Sequence, residues 1–343
     1  MDFEDLQSMT ANVASQLRKR GVTTVSKLAM LNLDALKGIM RGVSEKKIRE
    51  IQVEAWKATG GWFKPGTVLE EERKNQLVFS TGCRSLDELL GGGVRTGSIT
   101  EFTGEYGTGK TECLLTTLVE ALGRNRDVSA VFYDTEETFS IIRMKHIAET
   151  RGYGTEELLG RFTLLKVWHT DQFQVAVAEA DPLINNRNVK LILVDSIIAP
   201  LRAEYIGREM LAERQQILNN ILRELLNYAK LYNLAVVVTN QVSDKPEQVY
   251  TYDPVEQKPP TGGNIMAHNA ETRVYLRKAG GGNRRIARLI DSSWLPPGER
   301  VFQITERGIE DVQDETVTSK PELEAEQTER EEEGGGVVSV VNA

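Results

Sequence analysis

The sequence is poor in the residues that build covalent and metal frameworks. Among 343 residues there are two cysteines and three histidines. Cys83 and Cys113 stand about 30 positions apart without ligand spacing. That argues against a disulfide scaffold or zinc site, and for two ordinary thiols in a reducing compartment. His146, His169 and His268 show no metal spacing either, and the first two read as surface residues. No stretch approaches the roughly 20 apolar residues of a membrane span. The start, MDFEDLQSMT, shows neither the basic nor the apolar region of a secretory signal. The expectation is a cytoplasmic protein, or a nuclear one if the source is eukaryotic, with no membrane partner.

Net positive charge is lacking: 42 Lys and Arg stand against 50 Asp and Glu, a net of −8. The excess acid is local. Residues 310–343 hold 11 acidic and 2 basic side chains, a net of −9, so the other 309 residues carry about +1. A neutral body can still present a basic face to nucleic acid. Residues 312–343 contain no aromatic side chain, end in GGGVVSVVNA and read as a disordered acidic tail.

What is present is a nucleotide-binding grammar. Residues 1–58 read as short helices, with apolar positions such as Val13, Leu17, Leu28, Leu36, Ile48 and Ile51 and a net charge of +3. Met40 to Glu45 reads as a tight turn, with Ser44 capping the next helix. Residues 59–75 mix glycine, proline and charge, and read as a linker carrying one apolar hook, Trp62-Phe63. From 76 to about 311 apolar runs alternate with helical patterns. The clearest strands are Ile99–Thr103, Val128–Tyr133, Leu191–Val194, Ala235–Thr239, Thr272–Leu276 and Arg285–Ile290, and the longest helix starts at Leu211. Such alternation predicts an α/β fold with a mostly parallel sheet flanked by helices.

Gly104-Glu105-Tyr106-Gly107-Thr108-Gly109-Lys110-Thr111 is a complete P-loop between an apolar strand and a helical run. Glycines let backbone N–H groups close around phosphates, and the following helix points its positive end at them. In that pattern Lys110 reaches the β- and γ-phosphates and Thr111 holds Mg²⁺. Asp195 ends the apolar strand Leu191–Val194 and fits the Walker-B role of supporting the metal. A second strand ends in Asp134-Thr135-Glu136-Glu137. Hydrolysis needs a carboxylate to orient and deprotonate water, and Glu136 is the candidate.

Residues 80–111, DTEETF, LILVDS, RAEYIGREMLAERQQ, LAVVVTNQV, TGGNIMAH, RVYLRK and ITERGIED, in that order and at family spacing, closely resemble the RecA/RadA-type recombinases. The likeness is nearest to archaeal RadA and its eukaryotic relatives and spans about residues 13–311. It implies a RecA-like P-loop ATPase core behind a small helix–hairpin–helix-like domain. The implied protein is a DNA-dependent ATPase, using ATP and Mg²⁺, that forms filaments on single-stranded DNA, searches a duplex and exchanges strands in recombination and repair. Rings and recombination mediators belong to the same expectation.

By the same resemblance, Arg143 stacks on adenine and Gln241 senses the γ-phosphate and relays to a DNA-binding loop. His268 contacts the nucleotide across a subunit interface. Asp291 belongs to a cap over the neighbour's ATP and binds a monovalent cation. Arg202, Arg208 and Arg214 fall in the first DNA-binding loop, and Lys245, Tyr250 and Tyr252 in the second, about Ser243 to Pro260. Phe63 and Gly66 fall on the polymerisation hook, where the family carries alanine at the second position. Other departures are Glu137 in place of glycine or asparagine, Ser293 in place of proline, a short stretch at Leu122–Ser129 and a first hairpin without its usual glycines. These leave an alternative open: an accessory paralogue that uses ATP as a switch on another recombinase.

Overall fold

The structure is a computed structural model that describes residues 2–243 and 253–312. Lys245, Tyr250, Tyr252 and the tail from residue 313 lie outside the described residues.

Four helices open the chain: Ala11–Lys19, Val25–Met30, Leu33–Ile39 and Glu45–Ala58. Each begins the same way. Thr10, Thr24, Asn32 and Ser44 accept from the backbone N–H three residues on, which satisfies a donor the helix itself leaves unpaired. The apolar faces meet around Leu17, Leu28, Leu36, Ile48 and Ile51. Thr24 donates to Asp181 at 3.0 Å and Lys27 pairs with Glu179 at 3.2 Å, so the second helix is fastened to the later part of the chain.

The stretch read as a linker is only partly extended. The chain is irregular up to Pro65, and Gly66–Lys74 forms a helix. Pro65 fixes φ at −61° and has no N–H to waste at a helix start. Behind it, Lys74 pairs with Glu70 one turn away at 2.6 Å, and Lys64 reaches Glu72 at 2.5 Å. Gly66 therefore belongs to a helix and not to an extended hook. Before it, Trp62 stacks on Trp56 at 6.3 Å, and Phe63 meets the edge of Trp62 at 5.4 Å.

The strands are β1 (Val78–Phe79), β2 (Val94–Arg95), β3 (Ile99–Gly104), β4 (Ser129–Asp134), β5 (Phe162–Lys166) and β6 (Val189–Asp195). They continue as β7 (Ala235–Asn240), β8 (Thr272–Lys278), β9 (Arg284–Ser292), β10 (Gly298–Thr305) and β11 (Gly308–Asp311). β1 and β2 pair separately, and the rest form one sheet in the order β11-β10-β9-β8-β3-β7-β6-β4-β5. From β8 to β5 the strands are parallel, and β9, β10 and β11 continue antiparallel. Alternate residues serve opposite faces. Phe132, Leu191, Leu193 and Val237 join one core with the helix Lys110–Arg124. Val131, Ile192, Val194, Val236 and Val238 join another with the long helix Leu211–Tyr232. Helices cover both faces, as a parallel sheet requires.

Two buried charges cross the middle of this sheet. Glu101 on β3 is fully buried and accepts from Arg273 on β8 at 2.5 Å and from Asn240 on β7 at 2.7 Å. Asn240 also donates to the Thr261 carbonyl at 2.7 Å and accepts from the Gln241 N–H at 2.8 Å.

Candidate active site

The P-loop follows β3 at the carboxyl end of the parallel strands. Its glycines are there because nothing else fits. A Cβ at Gly104 would stand 2.4 Å from the Leu276 carbonyl oxygen. Gly107 and Gly109 take φ of +74° and +97°, where side chains are strained. Gly109 caps the helix Lys110–Arg124, so the first N–H groups of that helix face into the loop. Tyr106 is exposed, and Glu105 forms an ion pair with Lys258. Thr108 turns back, donating to the Glu105 carbonyl at 2.8 Å. Lys110 donates to the carbonyls of Gly104 and Glu105, both at 2.9 Å. Burial lowers its pKa, and the charges of Glu136 and Asp195 oppose that shift.

Asp195, at the end of β6, is buried. Its Oδ2 accepts from the Thr111 hydroxyl at 2.7 Å and its Oδ1 from Thr239 at 2.5 Å. Burial raises its pKa, while these two hydrogen bonds pull it down. The pair Thr111 and Asp195 suits Mg²⁺, which takes one or two hard protein oxygens and completes its shell with phosphate and water. The glycine cradle, the exposed helix N–H groups and Lys110 suit a polyphosphate.

Glu136 is brought beside this centre by crossties between strand ends. The Thr135 N–H donates to the Asp195 carbonyl at 2.8 Å. The Ser196 N–H donates to the Thr135 hydroxyl, which donates to the Ser196 carbonyl, both at 2.7 Å. Buried Asp134 accepts from the N–H groups of Thr138 and Phe139, both at 3.1 Å, and holds the turn. Glu136 Oε1 then accepts from Ser196 Oγ and from Gln241 Nε2, both at 2.8 Å. Glu137 sits at φ +55°, in the left-handed region. Asp134, Thr135, Ser196 and Thr239 were not singled out from sequence. Asp134, Thr135 and Ser196 carry one signal, adjacency to the two strand-end acids, and Thr239, 44 residues from Asp195, carries none.

Gln241 follows β7 and lies between Glu136 and Arg202, whose Nη1 donates to its Oε1 at 2.9 Å. Arg208 is exposed, and Arg214 contacts the Tyr205 carbonyl at 3.5 Å. Arg143 reaches Glu112 on the P-loop helix at 2.7 Å and the carbonyls of Thr305 and Glu306 at 2.6 and 2.9 Å. It bridges that helix to the turn between β10 and β11. Phe63 is 90% exposed, despite its edge contact with Trp62.

His268 and Asp291 do not join this centre. His268 precedes β8, and Asp291 on β9 pairs with Arg273 at the beginning of β8. Both lie at the amino end of the parallel strands, about 17 Å from the P-loop at ~3.3 Å per residue of β3. There they line a groove of about 460 Å³ with Arg73, Lys230, Glu271 and Ser293. Ser293 donates to Glu271 at 3.1 Å, a bond that a proline could not make. Next to it the Trp294 ring has the guanidinium groups of Arg73 and Arg95 over it, at 4.9 and 4.8 Å from its centre.

Among the described residues no helix is long and apolar enough to cross a membrane. The family model described as Rad51 matches residues 72–312, most of the chain. Proteins of that family are RecA-type recombinases, which in general bind DNA, oligomerise and use ATP with Mg²⁺. With the P-loop, its two strand-end acids and the helix-flanked parallel sheet already in place, the match decides the matter: the chain belongs to the Rad51 family.

Proposed function

We propose that this chain is an ATP-driven recombinase. It assembles head to tail on single-stranded DNA and promotes homologous pairing and strand exchange. The observation that carries the reading is that the P-loop centre and the two residues which the resemblance assigns to a neighbour's nucleotide lie at opposite ends of one sheet. Lys110, Thr111, Glu136 and Asp195 gather at the carboxyl end, and His268 and Asp291 at the amino end. One end of a molecule offered to the unlike end of the next is a heterologous contact, which propagates into a filament or closes into a ring.

Mechanistically, the P-loop amides and Lys110 bind and orient the phosphates, while Thr111 and Asp195 would hold Mg²⁺, which would supply neutralisation of charge on the phosphates. Glu136 orients the attacking water and takes its proton at the free carboxylate oxygen. Arg143 faces the base, and His268 and Asp291 close over a neighbour's nucleotide, where Asp291 would hold a monovalent cation. The exposed Phe63 enters the next subunit. Arg202, Arg208 and Arg214 meet DNA phosphates, with Lys245, Tyr250 and Tyr252 as the second loop. The four-helix segment of residues 1–58, tied to the rest of the chain through Thr24 and Lys27, offers its turn at Gly42 to DNA backbone.

Electron microscopy with ATP and single-stranded DNA tests this, together with a strand-exchange assay. Helical filaments and exchanged strands are expected, and Lys110→Ala should remove ATP turnover. Monomers that exchange nothing, yet alter the filaments of another recombinase, would make the accessory reading correct.

A further inference from the structure

Resting on that reading, we propose that Arg202 is a positioning residue for hydrolysis: a latch that holds Gln241 against Glu136 and is released when DNA takes the guanidinium. A phosphate contact alone does not describe what Arg202 does in the chain without DNA. Its Nη1 donates to Gln241 Oε1 at 2.9 Å and lies 3.5 Å from the Val242 carbonyl. Gln241 Nε2 donates to Glu136 Oε1 at 2.8 Å.

Donor chemistry fixes the direction of this chain of bonds. A guanidinium only donates and a carboxylate only accepts. The amide between them has one orientation that satisfies both, with its oxygen toward Arg202 and its nitrogen toward Glu136. Arg202 thereby sets which way Gln241 faces. The consequence falls on the base. Glu136 Oε1 already accepts from Ser196 at 2.8 Å, so Gln241 supplies a second donor to the same oxygen. These bonds hold the carboxylate turned toward Ser196 and Gln241. They also commit the amide, which is then not offered to phosphate.

Arg202 is exposed and sits on the short helix Ala199–Glu204, a few residues ahead of the likewise exposed Arg208. A DNA phosphate offers a guanidinium two charged acceptor oxygens, where Gln241 offers one neutral one. A bidentate guanidinium–phosphate pair joins opposite charges through two bonds, against one bond to a neutral amide oxygen, so DNA wins the exchange. Gln241 then loses the group that fixed its orientation, and Glu136 loses one of two donors. DNA binding is coupled to hydrolysis through a single side chain.

The test is steady-state ATP turnover of the full chain with and without saturating single-stranded DNA, for wild type, Arg202→Ala and Arg202→Lys. The Ala variant should raise DNA-free kcat about tenfold, the worth of one hydrogen bond to a charged group, with KM for ATP unchanged. Its further stimulation by DNA should shrink by the same factor. Arg202→Lys keeps a donor to Gln241 Oε1 and should restore the low DNA-free rate. A purely structural role would lower kcat or raise KM in both variants, and that result overturns the proposal. So does an Ala variant with the wild-type DNA-free rate and the wild-type stimulation ratio. A wild-type chain whose turnover ignores DNA overturns the recombinase reading itself, which separates the two failures.

Discussion

The two adjacent glutamates after β4 differ in what their backbones allow. Glu136 is directed to Ser196 and Gln241, while Glu137 sits at φ +55°. Glu136→Gln should therefore leave ATP binding largely intact and reduce turnover by a factor on the order of 10²–10⁴, the usual worth of a positioned base. Glu137→Gln should change turnover little. Single-turnover hydrolysis and nucleotide binding on both variants check this, and a larger loss at position 137 would reassign the base. The P-loop and its two strand-end acids were legible because each is contiguous and follows an apolar run. The supports of Glu136 were not. Thr135 and Ser196 act through bonds between strands that are neighbours only in the sheet, and Asp134 through a turn it folds around itself. A serine after an acid carries no sign of that partnership in one dimension.

At the scale of elements, the central strands hide an ion pair that the sequence disguises. Glu101 and Arg273 sit within β3 and β8, where charge in a strand ordinarily reads as a solvent face. Both are buried, and Asn240 shares the glutamate. Arg273→Met should cost roughly 3–5 kcal/mol, because it leaves an unpaired buried carboxylate. Replacing both charges, as Glu101→Leu with Arg273→Met, should recover most of that loss. Denaturant unfolding of the two variants and wild type decides between them. β5 escaped notice because Phe162 to Lys166 are only half-buried or exposed and do not alternate. The helix Gly66–Lys74 escaped because its glycine, proline and charge mimic a linker, while its stability comes from pairs such as Glu70–Lys74. At Gly66 an added Cβ meets nothing within 4 Å, so Gly66→Ala should stabilise that helix by about 0.5–1 kcal/mol. Circular dichroism through thermal unfolding would show a higher midpoint, and a lower one would contradict the helix.

For the whole molecule, the aromatic series Trp56, Trp62 and Phe63 runs from the fourth helix to an exposed tip. Burying Phe63 in a neighbour would contribute roughly 1.5–3 kcal/mol per contact. Phe63→Ala should shift light scattering toward monomers with the fold intact by circular dichroism. Trp62→Ala should do the same more weakly, since it removes the support and leaves the tip. Assembly like wild type in both variants would mean that this tip joins nothing.

The unlike ends of the sheet have an arithmetic consequence. If each working centre takes a P-loop from one molecule and His268 with Asp291 from the next, an open string of n molecules holds n − 1 complete centres. A dimer would run at half the rate per chain of a long string, and a closed circle would run at the full rate. Turnover per molecule would then rise with concentration even when ATP and DNA are saturating. The slope of that rise would measure how long the strings are, without any of them being seen.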